Sequence, residues 1–171
     1  MSATRKIRGL QHVGLVVPDV RTATDFFVSG LGAEPLFAVG PIEVDAERAE
    51  RYDVKPGCTL VRLAMLRVAD GPNLELIQFE TNAADPASPR NDQTGGHHIA
   101  FQVEDLEETA RQLVNAGATR CGTPAKVGAG PFDGLGWHYL RTPWGSYVEL
   151  VAIPDDGIGF ERGGSQRLFR P

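Results

Sequence analysis

The chain of 171 residues is 42% hydrophobic and 23% charged, with 20 Gly, 12 Pro and 2 Cys, so it can bury a sizeable core without disulfides or a structural metal. A formal charge of −5 leaves no broad basic face for nucleic acid, and no apolar run approaches the roughly 20 residues of a membrane span. Cys58 and Cys121 form no C-x-x-C pair and the start, MSATRKIRGLQHVGLVV, lacks a cleavable apolar segment, so the expectation is a cytoplasmic protein with reduced thiols.

Residues 12–17 are rich in β-branched side chains and read as a strand. Asp19 then sits where a helix N-cap belongs, and Val20, Ala23, Phe27 and Leu31 share one helical stripe. Gly30 and Gly32 punctuate the end of that helix. A short strand follows at 35–39. The segment GPIEVDAERAERYDVKPG reads as an insertion, with EVDAERAER as a solvated helix face. Strands at 60–66 and 74–79 flank the turn ADGPN. The polar stretch TNAADPASPRNDQTGG is expected to cross the surface as a connection.

The pattern then recurs. A strand at 98–103 leads to Asp105 and Glu108, a D-x-x-E capping box, and to the stripe Leu106, Ala110, Leu113 and Val114 before Gly117. Strands follow at 119–125, 137–140 and 147–153, the last two around TPWGS. GAGPFDGLG contains G-x-G without a strand-to-helix context, so it reads as a loop at a cleft mouth and not as a dinucleotide fingerprint. Trp144 in its PWG turn reads as packing or as a dimer contact. The 154–171 tail is Gly-rich and aperiodic.

These recurrences are an internal duplication. HVGLVVPDV from His12 matches HIAFQVEDL from His98, each with Asp seven positions after the His. LRVADGPNLELI from Leu66 matches LRTPWGSYVELV from Leu140 in Leu-Arg, in Gly and in Glu-Leu. The expected fold is α+β: two paired βαβββ modules forming a curved mixed β-sheet around a cleft. Module one spans about 8–80, the connection about 81–94, module two about 95–153 and the tail 154–171, all as one domain.

The duplication singles out His12, Glu75, His98 and Glu149, one from the first and one from the last strand of each copy. If those strands are neighbours, each His lies beside its Glu, and imidazole with carboxylate suits a divalent ion such as Zn, Mn, Co, Ni or Fe(II). Four protein ligands would leave room for a chelating substrate or water. The alternative is a pair of satisfied core histidines and two solvent-facing glutamates. By strand parity Arg62 and His138 fall at related places; on the cleft face, Arg62 could hold a substrate carboxylate and His138 could relay a proton. His97, alternating with His98, points away from it.

The motifs QHVGLVVPDV, GPNLELIQF, GGHHIAFQVEDLEETARQLVNAGA and GWHYLRTPWGSYVELV resemble the vicinal oxygen chelate superfamily, which includes glyoxalase I, methylmalonyl-CoA epimerase, extradiol dioxygenases and bleomycin-resistance proteins. The resemblance runs from Gly9 to Ile153. It implies a homodimer with one divalent metal ion per chain, held by His12, Glu75, His98 and Glu149. It also implies an isomerase or lyase that acts on a carbonyl or CoA-linked small molecule through an enolate, with Glu149 or Glu75 as the base. A Glu at position 75 departs from the two-His, one-carboxylate set of the Fe(II) ring-cleaving dioxygenases, which stand as the alternative enzyme. The non-enzymatic alternative is a small-molecule binder of the bleomycin-resistance kind. Where the best understood epimerase has a catalytic Glu, this chain has Arg62, and the glutathione-binding context of glyoxalase I is not seen.

Overall fold

The computed structural model describes residues 9–80 and 89–168. The connection expected at 81–94 therefore lies partly, and the end of the tail wholly, outside the described residues. The elements in chain order are β1 (His12–Val16), α1 (Val20–Leu31), β2 (Glu34–Val39), β3 (Ile42–Glu43), α2 (Ala46–Tyr52), β4 (Thr59–Arg67), β5 (Asn73–Phe79), β6 (His98–Gln102), α3 (Leu106–Asn115), β7 (Thr119–Lys126), β8 (Gly136–Arg141) and β9 (Tyr147–Ala152). The class is α+β, with two mixed sheets. One has five strands in the order β1-β5-β4-β2 with β3 beside β4, and the other four in the order β6-β9-β8-β7.

The chain divides into two compact units. The first holds Met1–Thr24 and Gly32–Asn82, and the second Asp25–Leu31 and Ala83–Pro171. In the first unit β1 runs parallel to β5, and β4 is antiparallel to β5, β2 and β3. Leu15, Val17, Val20, Ala23, Ala64, Leu66, Leu74 and Leu76 are buried there. Asp19 starts α1 by accepting the Thr22 amide at 2.6 Å. Gln78 Oε1, on the inner side of β5, accepts the Val20 amide at 3.1 Å.

The insertion folds into β3 and α2. Asp45 caps the helix by accepting the Arg48 amide at 2.8 Å, and most of its residues face solvent as their charge demands. Its apolar minority does not. Ala49 is buried with Val44 and Leu60, against Ile42, Val54, Cys58, Leu63, Ile77 and Phe79.

In the second unit β6 runs parallel to β9, with β9–β8 and β8–β7 antiparallel. Helix α3 packs on β7, β8 and β9, capped by Asp105, which accepts the amides of Glu107 and Glu108. Its stripe buries Ala110 and Leu113 over Leu140, Val148 and Leu150. The second half of α1 belongs here because Phe26 and Phe27 lie with their rings 5.3 and 5.8 Å from that of Trp144. Gly30 does not end the helix, as the sequence suggested. It sits inside the last turn, where a β-carbon would come to 2.7 Å from Leu113 Cδ2.

The described part of the tail, up to Leu168, is held by polar contacts that hydropathy does not reveal. The fully buried Glu161 accepts the amides of Ile158 at 3.0 Å and Leu168 at 2.9 Å. Arg162 bonds Asp133 Oδ2 at 2.8 Å and the Gly157 carbonyl at 3.0 Å, fastening the tail to the 128–136 loop.

Candidate functional site

Each sheet presents a polar row of residues on the face turned away from its buried Leu side chains. In the first sheet His12 pairs with Asn73 and Gly14 with Glu75. Parallel pairing with period-two alternation puts His12 and Glu75 diagonally adjacent on one face, with Nε2 3.6 Å from Oε2. Gly14 stands beside the carboxylate, and a β-carbon there would lie 3.5 Å from Glu75 Oε2, an ordinary contact. The Gln11 side-chain carbonyl accepts from His12 Nδ1, which turns Nε2 toward Glu75.

The second sheet repeats the arrangement. His98 pairs with Tyr147 and Ala100 with Glu149, and His98 Nε2 lies 3.1 Å from Glu149 Oε2. A small residue again stands opposite the carboxylate, Ala100 for Gly14. His97 is exposed and its Nδ1 lies 3.3 Å from the Gly95 carbonyl. The two expected His–Glu pairs are thus each brought together within their own sheet. Among the described residues no group of three or more His, Cys, Asp or Glu side chains is arranged to hold a metal.

The donor chemistry of the pairs fits a divalent ion. Each offers one imidazole nitrogen and one carboxylate oxygen side by side and partly open to solvent, the set that borderline and hard cations share.

Tyr139 is a residue that the sequence reading missed. It stands directly opposite Glu149 in the β8–β9 pair, and its ring meets that of His98 edge-on at 5.1 Å. Burial, then the charge and hydrogen bond of Glu149, push its hydroxyl above the ordinary tyrosine value. The hairpin register could have revealed it: the TPWGS turn pairs Arg141 with Tyr147, so counting back places Tyr139 on Glu149. In the first sheet Met65 holds the equivalent place opposite Glu75.

His138 and Arg62 are not brought to these faces. His138 pairs with Leu150, one step out of phase with Tyr139, and is fully buried on the α3 side. Neither of its ring nitrogens has a well-formed hydrogen bond. Desolvation, opposed by the Gly122 backbone and Glu107 and aided by Arg120, lowers its pKa below the ordinary histidine value. Arg62 pairs with Gln78, whose side chain turns to α1, and it alternates in phase with the buried Ala64 and Leu66, one step out of phase with Met65 opposite Glu75.

Two sheets, each with a His on its first strand beside a Glu on its last, define a duplicated α+β protein. The chain belongs to the glyoxalase/bleomycin resistance protein/dioxygenase superfamily, whose family model matches residues 11–134. It is similar to a 2-epi-5-epi-valiolone epimerase from an Actinomyces species, 34% identical over 163 residues that cover 95% of this chain and 88% of the relative. Among solved structures it is similar to a glyoxalase family protein from Bacillus cereus, with 24% identity, a TM-score of 0.69 and coverage of 93% of this chain and 100% of that one. It is also similar to a genomically encoded fosfomycin resistance protein from Listeria monocytogenes, solved with Mn(II) and sulfate. That match has 17% identity and a TM-score of 0.56, covering 88% of this chain and 97% of that one. At these identities the solved structures bear on the fold alone. Among the described residues no helix is long and apolar enough to cross a membrane.

Proposed function

We propose that the protein is a divalent-metal-dependent epimerase or related isomerase that moves a proton at the carbon next to the carbonyl of a small molecule. The observation that carries this reading is the repeated His–Glu pair, His12 with Glu75 at 3.6 Å and His98 with Glu149 at 3.1 Å, on matching strands of the two sheets. The 34% identity to an epimerase supports the reaction class. His12 with Glu75, and His98 with Glu149, are the proposed ligands of a divalent ion, of the Zn, Mn, Co, Ni or Fe kind.

When bound, such an ion supplies Lewis-acid stabilisation of a developing oxyanion, worth several kcal/mol. The chain's own groups do the rest. Glu149 takes the proton from the substrate carbon, and Tyr139, opposite it, orients the carboxylate and limits its hydration. Glu75 has Met65 opposite and no hydroxyl to hold it, so its role is coordination first and proton return second. An epimerase needs a proton removed and returned, and the duplication supplies two carboxylates of one chemical type. On this reading the enzyme works in the cytoplasm as a homodimer, in keeping with two free thiols, Cys58 and Cys121.

The test is solvent-deuterium exchange into a panel of 2-ketoacyl, malonyl-CoA, hemithioacetal and cyclitol ketone compounds, with elemental analysis of the same preparation. Metal-dependent deuterium incorporation at one carbon is the expected result. Iron with oxygen-dependent turnover of a catechol would replace this reading with ring cleavage, and protein unable to take up any divalent ion would replace it with ligand binding alone.

A further inference from the structure

The face of the second sheet is a grid of rows. The first row runs Thr119, Arg141, Tyr147, His98, and the second Cys121, Tyr139, Glu149, Ala100. Of these residues Arg141 carries the one permanent positive charge. Its guanidinium is held from one side only: Nη2 donates to the Tyr147 hydroxyl at 2.6 Å, and Cζ lies 4.6 Å from the centre of the Tyr147 ring. It makes no ion pair with a carboxylate among the described residues, although it is half-buried. Arg90, Arg111, Arg120 and Arg162 of the second unit each pair with a carboxylate, of Asp92, of Glu108, of Glu107 and of Asp133 with Asp156, and Arg167 spends its donors on the backbone carbonyls of Glu161, Gly164 and Gln166.

A guanidinium stays charged at any pH a protein survives, and removing it partly from water without an anion is costly. A ring and a hydroxyl offset part of that cost and fix its direction, and they leave the remaining N–H donors of the fork unspent. The hydroxyls of Thr119 and Tyr147 flank it in the same row. We infer that Thr119, Arg141 and Tyr147 form an oxyanion subsite, which receives a carboxylate or phosphate group of the substrate beside the Glu149 row. Same-face neighbours along a strand lie about 7 Å apart. An anion bound here thus belongs to the same small molecule whose carbon faces Glu149. The inference rests on the reading of this face as the substrate face and narrows the substrate class to anionic carbonyl compounds. It also moves the substrate-holding role expected of Arg62 to Arg141.

The test follows the arginine Nε–H resonances of the full-length protein, at low salt, as inorganic phosphate or malonate is added. A saturable shift of the Arg141 resonance with at least one probe is expected. Arg141→Met should weaken that binding about tenfold or more, since the charge-assisted bonds are the strong ones. Arg141→Lys should retain part of it, and Arg67→Met all of it. Tighter phosphate would mark a phosphorylated substrate and tighter malonate a carboxylic acid, both upholding the subsite. Equal binding by Arg141→Met, or no saturable shift with either probe, would overturn it. Metal uptake measured on the same samples separates the two ideas. Normal uptake without Arg141-dependent anion binding sinks the subsite alone, and anion binding without metal uptake sinks the metal reading alone.

Discussion

Gly14 lies opposite Glu75 in the β1–β5 pair, and a β-carbon on it would rest 3.5 Å from the Glu75 carboxylate oxygen. That is ordinary contact, and Ala100 already holds the matching place opposite Glu149. Gly14→Ala should therefore change stability by no more than about 0.5 kcal/mol and leave metal uptake intact. Gly14→Leu carries its branch into the space of the carboxylate and should weaken metal affinity about tenfold or more, the scale of a disturbed ligand environment. Chelator-competition titration reads the affinity, and thermal unfolding checks that the fold is kept. Wild-type affinity in Gly14→Leu would show that the Glu75 carboxylate is not a ligand.

His12 and His98 stand on the faces turned away from the buried Leu side chains, with side-chain exposures of 42% and 39%. Truncating either leaves no sealed cavity, so His12→Ala and His98→Ala should keep their unfolding midpoints within a few degrees while metal affinity falls steeply. Elemental analysis after dialysis settles the matter. Unchanged stoichiometry in both variants would remove these residues from the ligand set.

The two carboxylates should separate by role. Glu149→Gln keeps an oxygen that can reach an ion but loses the base, so metal remains partly bound while turnover drops by roughly 10²–10⁴-fold. Glu75→Gln should be milder, because an amide oxygen is a weaker but tolerable ligand. The reverse ranking, measured as kcat with metal saturating, would move the base to Glu75.

His138 makes the fold sensitive to acid. Its pKa is lowered in the folded state, chiefly by desolvation, so the unfolded chain binds the proton first as pH falls. The stability is complete above the unfolded histidine value of about 6.5 and is lost as pH drops below it toward the folded value. His138→Leu removes a buried ring without a well-formed hydrogen bond and fills the place with carbon. Urea unfolding at pH 7.5 should show that variant equal to or more stable than the parent, with a flatter decline between pH 6.5 and 5. An unchanged pH slope would assign the acid sensitivity to other groups.

How much of this was legible depends on the range of the cause. Asp19 and Asp105 cap helices through bonds that span two or three residues, and the sequence shows them directly. The His–Glu pairs were legible because the duplication marked the same positions twice. Gly30 was not, since what requires it is Leu113, far along the chain. Arg62 and His138 were placed at related positions by strand parity, and that parity holds, with Arg62 in phase with the buried Ala64 and Leu66. Which face looks inward was legible only from the TPWGS register, which puts His138 opposite Leu150 on the apolar side. The segment EVDAERAER looked wholly solvated because one alanine in a charged helix carries little weight, yet Ala49 is the residue by which α2 attaches.

That attachment gives the first sheet a covered side and an open one. Leu63, Ile77 and Phe79 pack against the buried Val44, Ala49 and Leu60, whereas Val16, which pairs with Ile77, remains 65% exposed. Within the first unit the cover is therefore one-sided: the β4 side of the Ile77 level is shielded by the insertion and the β1 side is bare. The inserted helix acts like a hinge plate fixed along one edge, held by a single alanine and never reaching across to β1.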